Sequence, residues 1–179
     1  MMKSLGFSFL LVWSMLFNVA QADVLDINAP APGFELQDQN GDTHTLTDYQ
    51  GKWLVLYFYP KDDTPGCTTE ACAFRDEYKV ITELNTQVIG VSVDDQESHA
   101  NFAEKYNLPF PLLSDDKGKV AKDYGALAEL GPIKFAKRHT IIISPEGKVK
   151  KVYRSVNASR HSQEVIADLK ALRVEKVHF

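Results

Sequence analysis

Two cysteines, Cys67 and Cys72, are the only thiols in the chain, and they lie five residues apart. Two thiols are too few for a disulfide framework or for a tetrahedral zinc site. They are enough for one thiolate that attacks and a second thiol that resolves the product. The five histidines are scattered without the spacing of metal ligands, so we expect no metal site. The pair predicts reversible thiol chemistry.

A structural disulfide is the plain alternative, and helix geometry weighs against it. Cys67 stands at the start of a predicted helix, and Cys72 lies inside it. Five residues of α-helix advance about 7.5 Å and rotate by about 140°, which separates the two Cα atoms by roughly 8.7 Å. A disulfide needs a Cα separation of about 4.4–6.8 Å. The helix must therefore unwind locally before the two sulfurs can join.

The residues before Cys67 predict a strand that passes directly into this helix. Residues 53–59 form a continuous apolar and aromatic run, typical of a strand buried on both faces, and Pro60 ends it. Cys67 then lies at the amino end of the helix, where unpaired N–H groups and the helix dipole favour a thiolate.

Three residues between Pro60 and Cys67 suit this junction. Pro65 fits the first turn of a helix, and Gly66 lets the backbone approach a small ligand closely. Thr64 either caps the helix or turns its hydroxyl toward the thiolate and a bound substrate oxygen. The two roles of Thr64 are compatible.

The remaining patterns predict strands that alternate with helices. Asn40-Gly41 between two alternating segments predicts an N-terminal hairpin. Further along, we expect a helix over 68–84, a strand over 87–93, helices over 98–106 and 119–124, a hairpin of strands 139–143 and 149–154, and a closing helix over 161–172. This order predicts an α/β, thioredoxin-like fold with a central mixed β-sheet flanked by helices.

The amino terminus predicts export. Lys3 precedes an apolar run, and Ala20-Gln21-Ala22 has the small-x-small pattern of a signal-peptidase site. We expect residues 1–22 to be a signal peptide and residues 23–179 one domain, periplasmic or extracellular. A membrane anchor is the alternative, but the run is short and no stop-transfer charges follow it, so we expect no stable membrane association. The net charge of −4 without a basic stripe argues against nucleic-acid binding.

Two adjoining segments resemble a known family. Pro60-Lys-Asp-Asp-Thr64-Pro-Gly-Cys67 resembles the Pro-x-x-x-Thr-x-x-Cys signature of the peroxiredoxins. The following Thr-Thr-Glu-Ala-Cys72-Ala-Phe-Arg-Asp is similar to the bacterioferritin comigratory protein (PrxQ) subfamily. The likeness extends over nearly all of the chain after the leader, although residues 124–137 differ from the usual loop before the family's arginine.

The resemblance implies a thiol-dependent peroxidase that reduces hydrogen peroxide and organic hydroperoxides. Cys67 would be the peroxidatic cysteine, and Cys72 would resolve its sulfenic acid as an intrachain disulfide. Thr64 and the Cys67 N–H would donate to the peroxide, Arg138 would stabilise the thiolate and the leaving oxygen, and Pro60 would shield the pocket.

The resemblance also implies the partners. A thioredoxin-like dithiol would reduce the disulfide, and no metal, haem or flavin is implied. An intrachain pair needs no second subunit, which favours a monomer. Two other functions stay open: a thiol–disulfide oxidoreductase, which would normally carry Cys-x-x-Cys, and a non-enzymatic binding or chaperone-like domain with a protective disulfide.

Overall fold

The protein is described by a computed structural model that covers residues 25–175, so the predicted leader lies outside the described residues. The strands are β1 (Glu35–Asp38), β2 (Thr43–Thr45), β3 (Trp53–Phe58), β4 (Thr86–Ser92), β5 (Leu112–Ser114), β6 (Leu127–Leu130), β7 (Ile133–Ala136), β8 (His139–Ile143) and β9 (Val149–Tyr153). The α-helices are α1 (Pro65–Asp76), α2 (Tyr78–Glu83), α3 (Gln96–Tyr106), α4 (Lys119–Asp123) and α5 (His161–Glu175). A 3-10 helix, Leu46–Tyr49, follows β2.

Seven strands form one mixed sheet in the order β2-β1-β5-β4-β3-β8-β9. The pairs β3–β4 and β4–β5 are parallel, and the other pairs of this sheet are antiparallel. The predicted N-terminal hairpin and the β8–β9 hairpin are confirmed. The thioredoxin-like α/β architecture predicted from the alternating patterns is therefore the observed one.

β3 lies at the centre of two hydrophobic clusters. Every residue of this strand is buried. Because successive side chains of a strand point to opposite faces, Val55 and Tyr57 pack with Phe74 of α1 and Leu169 of α5, whereas the alternate residues of β3 pack with α4 on the other face. The sheet is covered on both faces, and the end of β3 is fixed where the chain passes into α1.

The predicted single helix over 68–84 is wrong in one respect. Two helices replace it, because the chain leaves helical geometry at Glu77, with φ −95° and ψ 4°. The break lets Phe74 and Ile81 both reach the same core cluster. A periodic apolar pattern does not reveal such a bend when both helices bury a face against the same sheet.

The predicted elements omit β5 and the separate β6–β7 hairpin. β5 has three residues and lies among prolines, so its pattern is too short to recognise. The β6–β7 hairpin occupies most of the segment that differs from the family's usual loop, and it leads directly to Arg138. Within residues 25–175, no helix is long and apolar enough to cross a membrane.

Candidate active site

Cys67 lies in the first turn of α1, which begins at Pro65 after the N-cap Thr64. The first bond of the helix runs from the Thr68 N–H to the Thr64 carbonyl at 2.8 Å, so the Cys67 N–H has no place in the helical ladder. The Cys67 side chain is buried against Tyr57 and the core, with 1% of the residue exposed. Cys67 therefore lies at the positive end of the helix dipole, where a negative charge is favoured.

Arg138 brings a positive charge to Cys67 from a residue far along the chain. It directly precedes β8, whose His139 pairs with Phe58 at the end of β3. The guanidinium Nη2 donates to Cys67 Sγ at 3.2 Å. Partial burial disfavours its charge, but the Glu70 carboxylate and Cys67 outweigh this and raise the pKa of Arg138, which therefore remains a cation.

Glu70 holds the other arm of Arg138. It lies three residues after Cys67, on the same face of α1, and accepts a hydrogen bond from Arg138 Nη1. The Glu70 side chain is fully buried, and its Oε1 has no hydrogen-bond partner among the described residues. Burial raises the pKa of Glu70 to about 7, against the attraction of the guanidinium. Glu70 thus fixes the guanidinium beside the sulfur.

Gly66 makes room for this guanidinium. A Cβ atom at position 66 would lie 3.2 Å from Arg138 Nη2. We expected Gly66 to admit a small ligand close to the backbone. In the structure, the group that occupies the space beside Gly66 is the arginine that contacts Cys67.

Thr64 uses its hydroxyl proton within the loop. Its Oγ1 donates to the Lys61 carbonyl at 3.0 Å and makes no side-chain cap to α1. A hydroxyl carries one proton, so Thr64 must give up its hydrogen bond to the Lys61 carbonyl before it can donate to the thiolate or to a peroxide. Pro60 is half-buried and directly follows β3, near the start of the same loop.

A buried network fixes the loop that joins β3 to α1. The Asp62 carboxylate accepts hydrogen bonds from the Tyr59 hydroxyl at 2.7 Å and the Ser98 hydroxyl at 2.8 Å, and its Oδ2 lies 2.8 Å from His99 Nδ1. The Asp62 N–H donates to Asp94 Oδ2 at 2.9 Å. The chain just before Thr64 is therefore bonded to the end of β3, to the residues that follow β4, and to α3.

Cys72 is half-buried in the interior of α1, and both cysteines are free thiols. α1 is continuous between the two cysteines. Arg75 lies one turn further along α1, and its hydrogen bond to Asp76 raises the pKa of Arg75 although slight desolvation opposes it.

Three residues of the site were missed by the sequence interpretation. Glu70 has a signal in the sequence, because its spacing of three residues from Cys67 places both on one helix face. Asp62 lies in a charged loop, where a solvated side chain is the ordinary expectation, but it is buried with three side-chain partners. Tyr57 belongs to the strand predicted to be buried on both faces, and its buried hydroxyl has no hydrogen-bond partner in the part of the chain that the structure describes.

The site combines a nucleophile, Cys67, with the cation of Arg138 and the buried acid Glu70. No group of three or more His, Cys, Asp or Glu side chains within residues 25–175 could hold a metal ion. A buried thiol at a helix start beside a guanidinium can attack an electrophile, and the guanidinium can receive the negative charge that develops on a leaving oxygen.

The comparisons with known proteins agree with this chemistry. The sequence pattern of the AhpC/TSA family matches residues 27–152. Peroxiredoxin Bcp of Bacillus subtilis is 46% identical over 154 residues, which is 82% of this chain and 96% of the relative. A chloroplastic peroxiredoxin Q of Populus jackii is 42% identical over 142 residues, 79% of this chain and 66% of that protein.

Solved structures give the same result. Peroxidoxin BcpB of Mycobacterium tuberculosis superposes with a TM-score of 0.78 at 36% identity, covering 83% of this chain and 98% of that one. A peroxiredoxin Q mutant of Xylella fastidiosa superposes with a TM-score of 0.79 at 32% identity, covering 84% and 99%. The chain therefore belongs to the AhpC/TSA family and is, within it, a thiol peroxidase of the Bcp/PrxQ type of peroxiredoxin.

Proposed function

We propose that Cys67 is the peroxidatic cysteine and reduces hydrogen peroxide and organic hydroperoxides. The thiolate attacks the terminal peroxide oxygen, the O–O bond breaks, and water or an alcohol leaves after protonation. Cys67 then carries a sulfenic acid. The observation that supports this assignment most is the bond of 3.2 Å from Arg138 Nη2 to Cys67 Sγ, because it places a fixed positive charge beside the reacting sulfur.

The residues around Cys67 divide the remaining work of the peroxide step. Arg138 stabilises the thiolate and the charge on the leaving oxygen, and the Cys67 N–H donates to the bound peroxide. The Thr64 hydroxyl rotates away from the Lys61 carbonyl to donate to the substrate. Gly66 leaves space for the guanidinium, and Pro60 shields the pocket from solvent.

Cys72 completes the cycle as the resolving cysteine. Its thiol attacks the Cys67 sulfenic acid, an intrachain disulfide forms, and water leaves. Both cysteines belong to α1, so the helix unwinds locally during this step. A thioredoxin-like dithiol then reduces the disulfide by thiol exchange and restores the two thiols.

We propose organic hydroperoxides as substrates alongside hydrogen peroxide. The relative from Xanthomonas campestris, 36% identical over 83% of this chain, is described by its alkyl peroxide reduction activity.

The sulfur chemistry needs neither metal nor organic cofactor. Both cysteines come from one chain, which supports a monomer. The leader over residues 1–22 supports export to the periplasm or the cell exterior, with an extracytoplasmic reductant. Amino-terminal sequencing of the secreted protein tests this location.

Two serine variants test the assignment of the cysteines. Cys67→Ser should abolish peroxide consumption with any dithiol reductant. Cys72→Ser should react once with peroxide and accumulate a Cys67 sulfenic acid, which a dimedone adduct on the peptide detects. Peroxide turnover that persists in Cys67→Ser contradicts the first assignment. Full turnover of Cys72→Ser with a thioredoxin contradicts the second.

A further inference from the structure

Tyr106 contacts the chain on both sides of the cysteine pair. Its hydroxyl donates to Asp63 Oδ1 at 2.6 Å, in the loop that enters α1. Its backbone carbonyl accepts a hydrogen bond from Arg75 Nη1 at 2.8 Å, near the end of α1. One residue at the end of α3 therefore ties down both ends of the segment that carries the cysteines.

The contact at Asp63 is reinforced from two directions. Lys105 Nζ donates to Asp63 Oδ2 at 2.6 Å, so both carboxylate oxygens are engaged. The hydrogen bonds from Lys105 and then from Tyr106 lower the pKa of Asp63. The Asp63 backbone is in the left-handed region, with φ 53°. The half-buried Tyr106 ring packs edge-on against Phe102 with centroids 5.3 Å apart, which fixes its direction.

The geometry of α1 makes these two contacts relevant to the disulfide step. The eleven residues of α1 from Pro65 to Arg75 span about 15 Å along the helix axis. Each residue that leaves the helix for an extended conformation lengthens the path by about 2 Å. With both ends tied to Tyr106, the added length must bulge outward or break a contact. Fixing both ends of the segment limits the conformations that the unwound chain can adopt, so the ties oppose the unwinding that joins the two sulfurs.

We propose that Tyr106 is a positioning residue that sets the balance between the folded α1, in which Cys67 meets peroxide, and the unwound α1, in which the two cysteines join. This role rests on the disulfide step of the proposed function. Without the hydroxyl tie, the unwound form is more populated and the sulfenic acid is resolved sooner. Resolution then competes better with a second peroxide, which oxidises the sulfenic acid to a sulfinic acid and leaves as an alcohol or water.

Tyr106→Phe tests the role, because it keeps the ring and removes the tie to Asp63. Reduced protein is mixed with hydrogen peroxide, and samples are quenched in acid at successive times. The mass of the tryptic peptide over residues 62–75 is then measured by mass spectrometry. This peptide contains both cysteines, so sulfenic acid and disulfide are distinguished by mass. We expect disulfide formation about fivefold faster than in the wild type, since one hydrogen bond is lost. The peroxide step should be no faster, and less sulfinic acid should form at high peroxide.

Tyr124→Phe is the matched control. Its hydroxyl donates to the Pro32 carbonyl at 2.6 Å within the other core cluster, so both rate constants should match the wild type. Asp63→Asn is a second test that does not alter Tyr106. Asparagine tolerates the left-handed backbone and keeps an acceptor for the hydroxyl, while the charge that attracts Lys105 is lost. Its disulfide rate should lie between those of the wild type and Tyr106→Phe.

Two results would overturn the role of Tyr106, and they differ in kind. A wild-type disulfide rate in both Tyr106→Phe and Asp63→Asn shows that the ties do not restrain α1, and it leaves the peroxidase cycle intact. A wild type that itself forms no disulfide in the 62–75 peptide removes the resolving step, and the role of Tyr106 with it.

Discussion

Replacing Glu70 with glutamine separates the charge of this residue from its shape. Glu70 is fully buried, and burial raises its pKa to about 7 from an ordinary value of 4.5. Between these two values the folded protein holds a proton that the unfolded chain has lost. The contribution of Glu70 to the free energy of unfolding therefore falls as the pH rises through this window and becomes constant above it. Glutamine resembles the protonated acid at every pH.

The size of the effect follows from the same two values. Each pH unit between them contributes about 1.4 kcal/mol, so ionised Glu70 costs the fold about 3 kcal/mol above pH 7. Glu70→Gln should be more stable than the wild type at pH 8, and the difference should shrink by about 2–3 kcal/mol at pH 5. At a urea dependence of about 2 kcal/mol per molar, this corresponds to a change of about 1 M in the unfolding midpoint.

Urea unfolding of the reduced proteins, followed by far-ultraviolet circular dichroism at both pH values, measures this difference. Only the comparison between variant and wild type is used, so the other titrating groups cancel. Glu83→Gln is the control, because Glu83 is exposed on α2 and should change little at either pH. The same stability difference at pH 5 and pH 8 for Glu70→Gln would refute the assignment of Glu70 as a carboxyl group that burial forces toward its neutral form.

Three other substitutions probe the site. Arg138→Gln removes the donor to Cys67 Sγ, and stopped-flow peroxide reduction should slow by about a hundredfold; an unchanged rate constant would exclude a role for this guanidinium. Gly66→Ala places a Cβ 3.2 Å from Arg138 Nη2, and the displaced guanidinium should cost about tenfold in the same rate, with the wild-type unfolding midpoint retained; wild-type kinetics would show that the guanidinium moves without consequence. Tyr57→Phe removes a buried hydroxyl without a partner among the described residues, so urea unfolding should show about 1 kcal/mol of added stability and unchanged peroxidase activity; a loss of activity would show that the hydroxyl acts in the reaction.

The sequence predicted the fold where local patterns are long and consistent. β3, β4, the two hairpins of the main sheet and the order of helices follow from continuous apolar runs, turn residues and helical periodicity. The break between α1 and α2 at Glu77 and the three-residue β5 could not be predicted this way. Their positions depend on packing between segments that are distant in sequence, such as the contact of Phe74 and Ile81 with one core cluster.

The residues of the candidate site that belong to a motif were predicted from the sequence. Those that only the fold brings to the site were missed. Cys67, Thr64 and Arg138 could be named from the resemblance. The meeting of Gly66 with the Arg138 guanidinium, and the burial of Glu70 beneath it, depend on how β8 pairs with β3. The sequence of α1 alone does not predict how β8 pairs with β3. The sequence likewise showed no reason why Tyr106, on another helix, contacts both the loop that enters α1 and Arg75 near the end of α1.

The most direct measurement of the proposed cycle is the state of both thiols after one equivalent of peroxide. Trypsin cleaves after Lys61 and Arg75, so Cys67 and Cys72 remain in one peptide. The proposed cycle predicts that wild-type protein loses both thiols and that this peptide becomes lighter by two hydrogen atoms. Peroxide that remains unconsumed while both cysteines stay reduced, or a disulfide that links two chains, would contradict it.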